Sequence, residues 1–406
     1  MSIAIIDPIS SGKCLVDAFE DLGCRIHKIY NHPNAHLVES DKSFRHESYG
    51  STLKMLAENK VERIVAGSEY GIELCDELSY RFGSLSNDYS KLPSRLNKAE
   101  MYTSLKADGV PIVPFESLKS RHDFHVALEK VNTYPVFIKP KNSAGSDGCF
   151  KCDTKEQAVR AFEDIFSKRN FLGRVNSEVL LQEYIEGDQY IVNTVSCSGM
   201  HLVSEIYKVR LDEVEGVPIY RSIVTEDICS EHSEQLIAYV TRCLDSLGVT
   251  NGAAHTEVRS TVDGIQLIEV NSRLMGPLLD SDAFHFAFGY SQATLLAESC
   301  ILPDQFMKRF DKKHSTKKHF SMVFLRNGEA GKVMNRRGLV EIRRLPAFHS
   351  VHKLPPIDFV VVNPLLTTGS FGIAYLAHED RKLLEHSLNV LHSMEDNCEL
   401  YGILRA

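Results

Sequence analysis

The sequence lacks any long apolar run. No part of its 406 residues approaches the roughly 18 consecutive apolar side chains that a membrane-spanning helix needs. Residues 1–7 contain no basic region and no cleavage-site pattern, so they are typical of the first strand of a mature protein. These absences predict a cytoplasmic protein with no membrane partner.

An excess of basic residues is also missing. The chain carries 46 lysines and arginines against 54 acidic residues, which gives a formal net charge of -8. This sign disfavours nucleic acid as a partner, although a local basic cleft for a polyphosphate remains compatible with it. Hydrophobic residues at 43% and charged residues at 25% are typical of globular proteins. The length predicts two or three domains.

The ten cysteines do not form a metal-binding pattern. Only Cys149 and Cys152 have C-x-x-C spacing, and no second pair completes a zinc site. On a strand, these two side chains would point to opposite faces. A redox pair is the alternative, but the interpretation adopted here is that all ten are packing thiols in a reducing cytoplasm.

A Walker A phosphate-binding loop is absent as well. The turn between the first predicted strand and helix ends in Gly12 and Lys13, as such a loop would. The motif, however, needs glycine where this chain has Asp7, and serine or threonine where it has Cys14. A turn of small residues that opens a helix can still bind an anion through its backbone N–H groups.

The sequence does contain a clear alternation of strand and helix patterns over about its first 90 residues. Such alternation predicts a parallel sheet covered by helices. Near the C-terminus, short strand patterns and one late helix predict a small α+β module. The predicted strands are 3–7, 25–30, 61–67, 320–325, 339–344, 359–362 and 372–377, and the predicted helices are 12–22, 53–58, 72–82, 98–107 and 380–394.

The first candidate for chemistry is an apolar strand that carries Lys139 and is followed by a small-residue loop, 142–148. Such a loop can fold its backbone N–H groups over phosphates, while a lysine on the preceding strand neutralises their charge. The alternative is an exposed strand end and a flexible turn.

The second candidate is a predicted β-hairpin that begins at Gly252 and carries charged residues on otherwise apolar strands. Alternation places two polar sets on one face each: His255, Glu257 and Arg259 on the first strand, and Glu269, Asn271 and Arg273 on the second. Such charges are unfavourable unless something compensates them, and two carboxylates with an amide oxygen suit Mg²⁺. A solvated polar face with local ion pairs is the alternative.

A shared metal site requires Glu257 and Glu269 to lie on the same face of the hairpin. A two-residue turn, Asp263-Gly264, would place them on opposite faces. A three-residue turn, Val262-Asp263-Gly264 with Gly264 in the left-handed region, restores the register. The metal hypothesis therefore predicts a three-residue turn.

In this order, the segments resemble the ATP-grasp superfamily over residues 1–310. The similar motifs are Asn97-Lys98 at the start of a helix, Phe137-Ile138-Lys139-Pro140, Gln182-Glu183-Tyr184-Ile185-Glu186-Gly187, and Glu269-Val270-Asn271-Ser272-Arg273. The resemblance implies an α/β and α+β multidomain protein with the ATP-grasp fold. Its expected parts are an N-terminal parallel α/β domain (1–95), a central lid (96–180), a nucleotide- and metal-binding domain (181–315) and a small C-terminal α+β module (316–406).

The resemblance also implies roles for individual residues. Lys98 and Lys139 would contact the phosphates of ATP, and Lys139 and Arg273 would act in catalysis, with Arg273 reaching an acyl phosphate. Further nucleotide contacts would come from Gly145, Ser146 and Gly148 of the loop, from Gln182, Glu183, Tyr184 and Ile185 at the adenine, and from Gln189 at the ribose. Glu257, Glu269 and Asn271 would hold two Mg²⁺ ions, for which Mn²⁺ can substitute.

Within the superfamily, the His255-Thr256-Glu257 strand and the β-rich C-terminal part look most similar to the L-amino-acid ligases, which make dipeptides. The implied reaction joins a small-molecule carboxylate to an amine through an acyl phosphate and releases ADP and phosphate. One alternative is a natural-product ligase that acts on an unusual amino acid, within one molecule or on a carrier protein. A non-catalytic nucleotide-binding regulator is another, although such a protein has no need of Arg273.

Three residues are candidates for substrate contact. His255 lies beside the metal residues, and Pro277 follows Arg273 by four positions. Arg221 lies in a predicted lid segment and could pair with a substrate carboxylate, with surface solvation as the alternative. The base that deprotonates the amine and the two substrates are left open, and a homodimer is expected by analogy only.

Overall fold

The computed structural model describes residues 1–31, 43–143, 145, 147–170, 172–278, 280–311, 318–362, 365 and 371–405. Within this part of the chain, no helix is long and apolar enough to cross a membrane. The ten cysteines all lie in it and all are free thiols, so Cys149 and Cys152 do not form a disulfide.

The predicted N-terminal parallel sheet is confirmed. Its elements are β1 (Ser2–Ile6), α1 (Gly12–Asp21), β2 (Arg25–Tyr30), β3 (Ser43–Arg45), α2 (Tyr49–Glu58), β4 (Arg63–Ala66) and α3 (Ile72–Phe82). The four strands run parallel in the order β3-β2-β1-β4. Every residue of β1 is buried, because Ile3 and Ile5 pack with α1 and Ala4 and Ile6 pack with α2 and α3.

A small antiparallel sheet follows. Its elements are α4 (Leu92–Leu96), α5 (Lys98–Ala107), β5 (Phe115–Leu118), α6 (Arg121–Leu128), β6 (Val136–Pro140), β7 (Phe150–Cys152), α7 (Lys155–Ile165) and β8 (Val179–Glu183). The strand order is β5-β8-β6-β7. The sheet has its own apolar core with α6 and α7, in which the rings of Phe124 and Phe162 stack at 4.1 Å between centroids.

The rest of the chain builds one large antiparallel sheet and a minor one. The elements are β9 (Asp188–Cys197), β10 (Met200–Val214), β11 (Val217–Thr225), α8 (Glu231–Ser246), β12 (Gly252–Thr261), β13 (Gly264–Asn271), α9 (Ser281–Phe288), α10 (Gln292–Ile301), α11 (Pro303–Met307), β14 (His319–Phe324), β15 (Gly331–Asn335), α12 (Leu339–Ile342), β16 (Phe348–His352), β17 (Val360–Val361), β18 (Ile373–His378), α13 (Arg381–Asp396) and β19 (Gly402–Leu404). The large sheet has eight strands in the order β13-β12-β9-β10-β11-β14-β18-β16, and β17-β15-β19 form the minor one. Three C-terminal strands therefore continue the sheet that carries the candidate metal hairpin.

One predicted C-terminal strand is wrong. The segment expected as strand 339–344 forms the helix α12 instead. Leu339 and Ile342 are both buried, and a spacing of three places them on the same face of a helix but on opposite faces of a strand.

The predicted three-residue turn of the hairpin is also wrong. Glu257 and Glu269 nevertheless lie on the same face of the hairpin, as the turn was expected to ensure. Thr261 pairs with Gly264, so the turn contains only Val262 and Asp263. A β-bulge then shifts the register by one residue. Val258 pairs with Leu267, but the preceding residue, Glu257, pairs with Glu269. The extra residue, Ile268, restores the parity that the three-residue turn was expected to supply.

The turn after β1 packs closely against Gly67, which follows β4. A Cβ atom on Gly67 would lie 2.6 Å from the backbone Cα of Pro8 and 3.0 Å from the carbonyl oxygen of Asp7. We expect Gly67→Ala to lower the free energy of unfolding by about 1–3 kcal/mol, because backbone atoms cannot rotate aside as a side chain can. Urea denaturation of both proteins measures this difference.

Gly50→Ala is the matched control. Gly50 lies in α2, and an added Cβ there meets nothing within 4 Å. The control should be neutral or stabilising by up to about 1 kcal/mol, since alanine is the better helix former. Equal unfolding midpoints for the two variants would contradict the close packing at Gly67.

Candidate active site

A cleft with about 840 Å³ of empty space lies between the small sheet and the large sheet. The small sheet contributes Lys139 from β6 and Gln182 from β8, and the candidate metal hairpin contributes Glu257 and Glu269. The structure therefore brings together the lysine strand and the hairpin, which the sequence had identified separately.

Lys139 is buried at the base of this cleft, with only 2% of its surface exposed. Its ammonium group donates to the hydroxyl of Tyr102 at 2.7 Å, and that hydroxyl donates to the carbonyl of Ile268 at 2.7 Å. Burial, followed by repulsion from Lys98, lowers the pKa of Lys139 to about 8. This cation therefore lies in a site where added negative charge would stabilise it.

Lys98 begins helix α5, which Asn97 caps by accepting a hydrogen bond from the backbone of Ala99. The Lys98 ammonium lies 2.6 Å from Glu269 Oε2, and Asn271 Nδ2 donates to Glu269 Oε1 at 2.9 Å. Burial opposes ionisation of Glu269, but the charge and hydrogen bond of Lys98 outweigh it and hold the pKa at about 2. Glu269 is therefore ionised at neutral pH.

Glu257 is fixed by three hydrogen-bonding neighbours. Its Oε2 accepts from the amide of Gln189 at 2.9 Å and from the hydroxyl of Tyr220 at 2.7 Å. Its Oε1 lies 3.2 Å from His255 Nε2. Because Glu257 is paired with Glu269 across the hairpin, the two carboxylates face one cleft.

Behind Glu257, a buried polar chain fixes His255. Its Nδ1 lies 3.0 Å from Asn193 Oδ1, and Asn193 Nδ2 donates to Glu205 at 3.2 Å. Glu205 also accepts from the Ser204 hydroxyl at 2.7 Å, and burial raises its pKa to about 7. The geometry suits His255 to orienting Glu257, a role in addition to the substrate contact expected from the sequence.

The other end of the cleft holds the residues expected at the adenine. Gln182 is buried, and its Oε1 has no hydrogen-bond partner in the described part of the chain, so a ligand donor such as an adenine amino group would satisfy it. Arg259 donates to the Tyr184 hydroxyl at 2.9 Å and to the Ile185 carbonyl at 2.5 Å, which fixes this segment. These contacts fit a nucleotide.

The predicted phosphate loop is described only in part. Gly145 lines the cleft, while Gly148 packs against Pro140 and does not line it. Ser146 lies outside the described residues. Glu183 pairs with Val136 in the small sheet and has an exposed side chain. Its expected contact with the adenine would therefore come from its backbone.

A second chamber, with about 1440 Å³ of empty space, adjoins the cleft. It lies between the loops after β1 and β4 and the large sheet, and it shares Glu257, Glu269, Tyr220 and Gly145 with the cleft. Its own lining includes His255, Asn271, Arg273 and Pro277, all predicted from the sequence. Arg273 Nε donates to Glu69 at 2.9 Å. The two chambers thus meet at the paired carboxylates.

Arg221 does not belong to this arrangement. The sequence had suggested that it pairs with a substrate carboxylate or is solvated at the surface, and both interpretations are wrong. Its side chain is buried and lines neither chamber. The guanidinium donates to Asp396 at 2.7 Å and to the His392 carbonyl at 3.0 Å, and it lies 3.5 Å from Asp212. Arg221 therefore joins β11 to α13 and is neither a surface residue nor positioned for a substrate.

Sequence reasoning missed three polar residues of the site: Tyr102, Asn193 and Tyr220. Tyr102 lies four residues after Lys98 on α5, so the helical period alone would have placed it beside that lysine. Asn193 and Tyr220 lie on strands β9 and β11, which meet the hairpin only through the sheet order, and nothing local marks them.

The carboxylate pair fits a hard divalent cation. No group of three or more histidine, cysteine, aspartate or glutamate side chains suited to a metal occurs among the described residues. Two carboxylates and the amide oxygen of Asn271 are a smaller, all-oxygen set. Mg²⁺ is bound in proteins by one or two carboxylates together with substrate phosphates, so these residues suit Mg²⁺ beside a bound nucleotide.

Comparison with known proteins agrees with this geometry. Residues 132–282 match the ATP-grasp domain family. Dapdiamide A synthase from Enterobacter agglomerans is 31% identical over 328 residues, which cover 78% of this chain and 77% of that protein. An L-arginine-specific L-amino acid ligase from Bacillus subtilis is 24% identical over 229 residues, covering 55% of this chain and 54% of that protein.

A solved structure has the same fold. The L-amino acid ligase from Bacillus licheniformis aligns with 100% of this chain and 98% of its own, with a TM-score of 0.79 and 14% sequence identity. The domain match and the extended similarity to dapdiamide A synthase show that the chain belongs to the ATP-grasp family. The predicted fold class is thereby confirmed.

The low pKa of Lys139 predicts proton uptake when ATP binds. In the free protein this ammonium loses its proton as the pH rises through about 8, well below the usual value of about 10.4. Bound phosphates would favour the charged form and raise the pKa. ATP affinity should therefore fall as the pH rises above 8, with uptake of up to about one proton per ATP. Calorimetry in buffers of different ionisation enthalpy measures that uptake.

Lys139→Arg is the control for this prediction. Arginine stays protonated throughout this pH range, so the variant should bind ATP without proton uptake at this position. Equal uptake by the wild type and the variant would show that another group is responsible.

Proposed function

We propose that this protein forms an amide bond between two amino acids at the junction of its two chambers. The chain is an ATP-dependent, ADP-forming carboxylate–amine ligase of the ATP-grasp family. The observation that supports the finer proposal is that Glu257 and Glu269 line both the nucleotide cleft and the second chamber. A phosphoryl group held at these carboxylates would face a substrate in that chamber.

In the first step, the carboxylate of the acid substrate attacks the γ-phosphorus of ATP. Lys98 and Lys139 approach the cleft from α5 and β6 and would neutralise the charge of the transferring group. Glu257, Glu269 and Asn271 would hold two Mg²⁺ ions, which neutralise charge on the phosphates. The products of this step are an acyl phosphate and ADP.

In the second step, the amine attacks the carbonyl carbon of the acyl phosphate and phosphate leaves. Arg273 lines the second chamber and would stabilise the oxyanion of the tetrahedral intermediate. His255, held by Asn193, orients Glu257 and lines the same chamber. Pro277 lines that chamber as well and would shape the substrate pocket.

A specialised substrate is the second candidate. The similarity to dapdiamide A synthase supports this alternative, in which the ligase serves a natural-product pathway and acts on an unusual amino acid. The L-amino acid ligases favour two free amino acids instead. Both candidates use the same acyl-phosphate chemistry.

The activity is tested by measuring ADP release with Mg²⁺ and ATP across a matrix of amino acids, singly and in pairs. We expect ADP release that requires two amino acids and a product whose mass equals their sum less one water. ADP release with one amino acid alone would place the acceptor elsewhere, and no release despite ATP binding would contradict the proposal for ordinary amino acids.

Arg273→Ala should bind ATP normally but turn over about 10²–10³-fold more slowly, because a fixed donor to the oxyanion is lost. The ATP dissociation constant and the rate of ADP release under saturating substrates measure the two effects separately.

Arg309→Ala is the matched control, since Arg309 also pairs with a glutamate, Glu298 at 2.7 Å, and lines neither chamber. That variant should keep the wild-type rate. Normal turnover in Arg273→Ala would remove Arg273 from the mechanism.

A further inference from the structure

Four polar residues lie directly opposite one another on four neighbouring strands of the large sheet. In order across the sheet, they are Asn271 on β13, His255 on β12, Asn193 on β9 and Glu205 on β10, and each pairs with the next. Each is at most 9% exposed. Asn271 and His255 line the second chamber, whereas Asn193 and Glu205 do not. This polar row therefore runs from the second chamber into the interior of the protein.

A β-bulge in β10 turns Glu205 toward the polar row. Val203 pairs with Thr194 and Glu205 pairs with Asn193, so Ser204 is an extra residue in the strand. Without the extra residue, alternation would place Glu205 on the same face as Val203, which packs in a purely apolar core. Bulges commonly redirect a side chain next to an active site. The backbone of β10 is thus shaped to bring a carboxyl group to Asn193.

The carboxyl group of Glu205 lies in an unfavourable environment. Only 2% of the residue is exposed, and no lysine or arginine pairs with it in the described part of the chain. Its Oε2 accepts from Ser204 and Asn193, while its Oε1 has no hydrogen-bond partner among the described residues. Burial raises its pKa to about 7. Packing alone favours an apolar residue here, so stability does not account for a glutamate.

The contact with Glu205 determines which way the Asn193 amide points. An amide carries an oxygen at one end and N–H donors at the other, and half a turn about its last bond exchanges the two. Because Glu205 accepts from Asn193 Nδ2 at 3.2 Å, Asn193 Oδ1 is directed at His255 Nδ1, 3.0 Å away. The other neighbour of Nδ2, Met275 Sδ at 3.3 Å, is only a weak acceptor. The carboxyl group is therefore the contact that fixes the amide.

We propose that Glu205 is a positioning residue for the metal site. Through Asn193 it fixes the ring of His255, whose Nε2 lies 3.2 Å from the Glu257 carboxylate. Glu205 itself lines neither chamber. This assignment rests on one part of the proposed function, the binding of Mg²⁺ by Glu257. Groups that orient the direct ligands of a metal typically contribute about 10–100-fold to metal affinity or activity.

Two substitutions of Glu205 separate positioning from packing. Glu205→Gln keeps an acceptor oxygen for Asn193, whereas Glu205→Leu keeps an apolar side chain of similar size and removes the acceptor. We expect Glu205→Leu to raise the dissociation constant of Mn²⁺ and to lower kcat, each by about tenfold. Glu205→Gln should keep both values close to those of the wild type. Electron paramagnetic resonance with ADP present measures Mn²⁺ binding, and ADP release with saturating substrates measures kcat.

Asn193→Ala tests the path of the effect. If Glu205 acts through Asn193, this variant should lose at least as much Mn²⁺ affinity as Glu205→Leu. Adding Glu205→Leu to Asn193→Ala should then cause no further loss, and a full further loss would overturn the assignment. Asn193→Ala also decides the question if Glu205→Leu does not fold, because wild-type Mn²⁺ affinity in Asn193→Ala contradicts the proposed path.

Tyr207→Phe is the matched control. Tyr207 lies two residues after Glu205 on β10, is fully buried, and has a hydroxyl with no hydrogen-bond partner in the described part of the chain. It lines neither chamber. Removing this hydroxyl also takes a polar atom out of the same strand, but Mn²⁺ affinity and kcat should stay at their wild-type values.

The remaining outcomes distinguish this assignment from the proposed function. Wild-type Mn²⁺ affinity and kcat in Glu205→Leu, with an unchanged urea midpoint of the metal-free protein, would leave Glu205 a packing residue. Equal losses in Glu205→Gln and Glu205→Leu, or a wild type that binds no Mn²⁺ with ADP, would also overturn the assignment. If the wild type binds Mn²⁺ but ligates no pair of amino acids, the proposed amide formation fails, and the Mn²⁺ affinities of the variants still decide the role of Glu205.

Discussion

The arrangement of the site depends on Glu257 and Glu269 lying directly opposite each other across one hairpin. Two carboxylates in direct register on one face repel each other unless something compensates their charge. Lys98 supplies that compensation at 2.6 Å from Glu269, while Gln189, Tyr220 and His255 surround Glu257. Three other elements bring these groups to the hairpin: α5 carries Lys98, β9 carries Gln189 and β11 carries Tyr220.

The sequence was informative wherever the signal was local. Charged residues at alternate positions of apolar strands identified the hairpin, and Lys139 at the end of an apolar strand identified a second wall of the cleft. The β-bulge at Ile268 had no such signal, because an apolar residue in an apolar strand looks the same whether it is paired or bulged. The correct face for Glu257 and Glu269 was therefore predicted with an incorrect turn.

Long-range partners account for the other differences. Arg221 resembles any polar residue of a solvent-exposed strand, and only the fold shows that its partners are His392 and Asp396, which lie more than 170 positions further along the chain. The same holds for Asn193, whose value to the site comes from contact with His255 on the neighbouring strand β12. Side chains of this kind act through neighbours that sheet topology provides, and topology is the part of the fold that residue patterns specify least.

The hydrogen-bond geometry also explains how the carboxylates can be held in place and still bind a metal. Each carboxylate has two oxygens and about four acceptor positions. On Glu257, Oε2 receives two donors and Oε1 faces His255 alone; on Glu269, each oxygen faces one partner. At least one position on each carboxylate is therefore left for a cation after every protein contact is kept. Asn271 uses its amide N–H toward Glu269, which leaves its oxygen for the same purpose. A cation between the carboxylates would thus add to the existing contacts without replacing them, so the proposed metal site would need little rearrangement on binding.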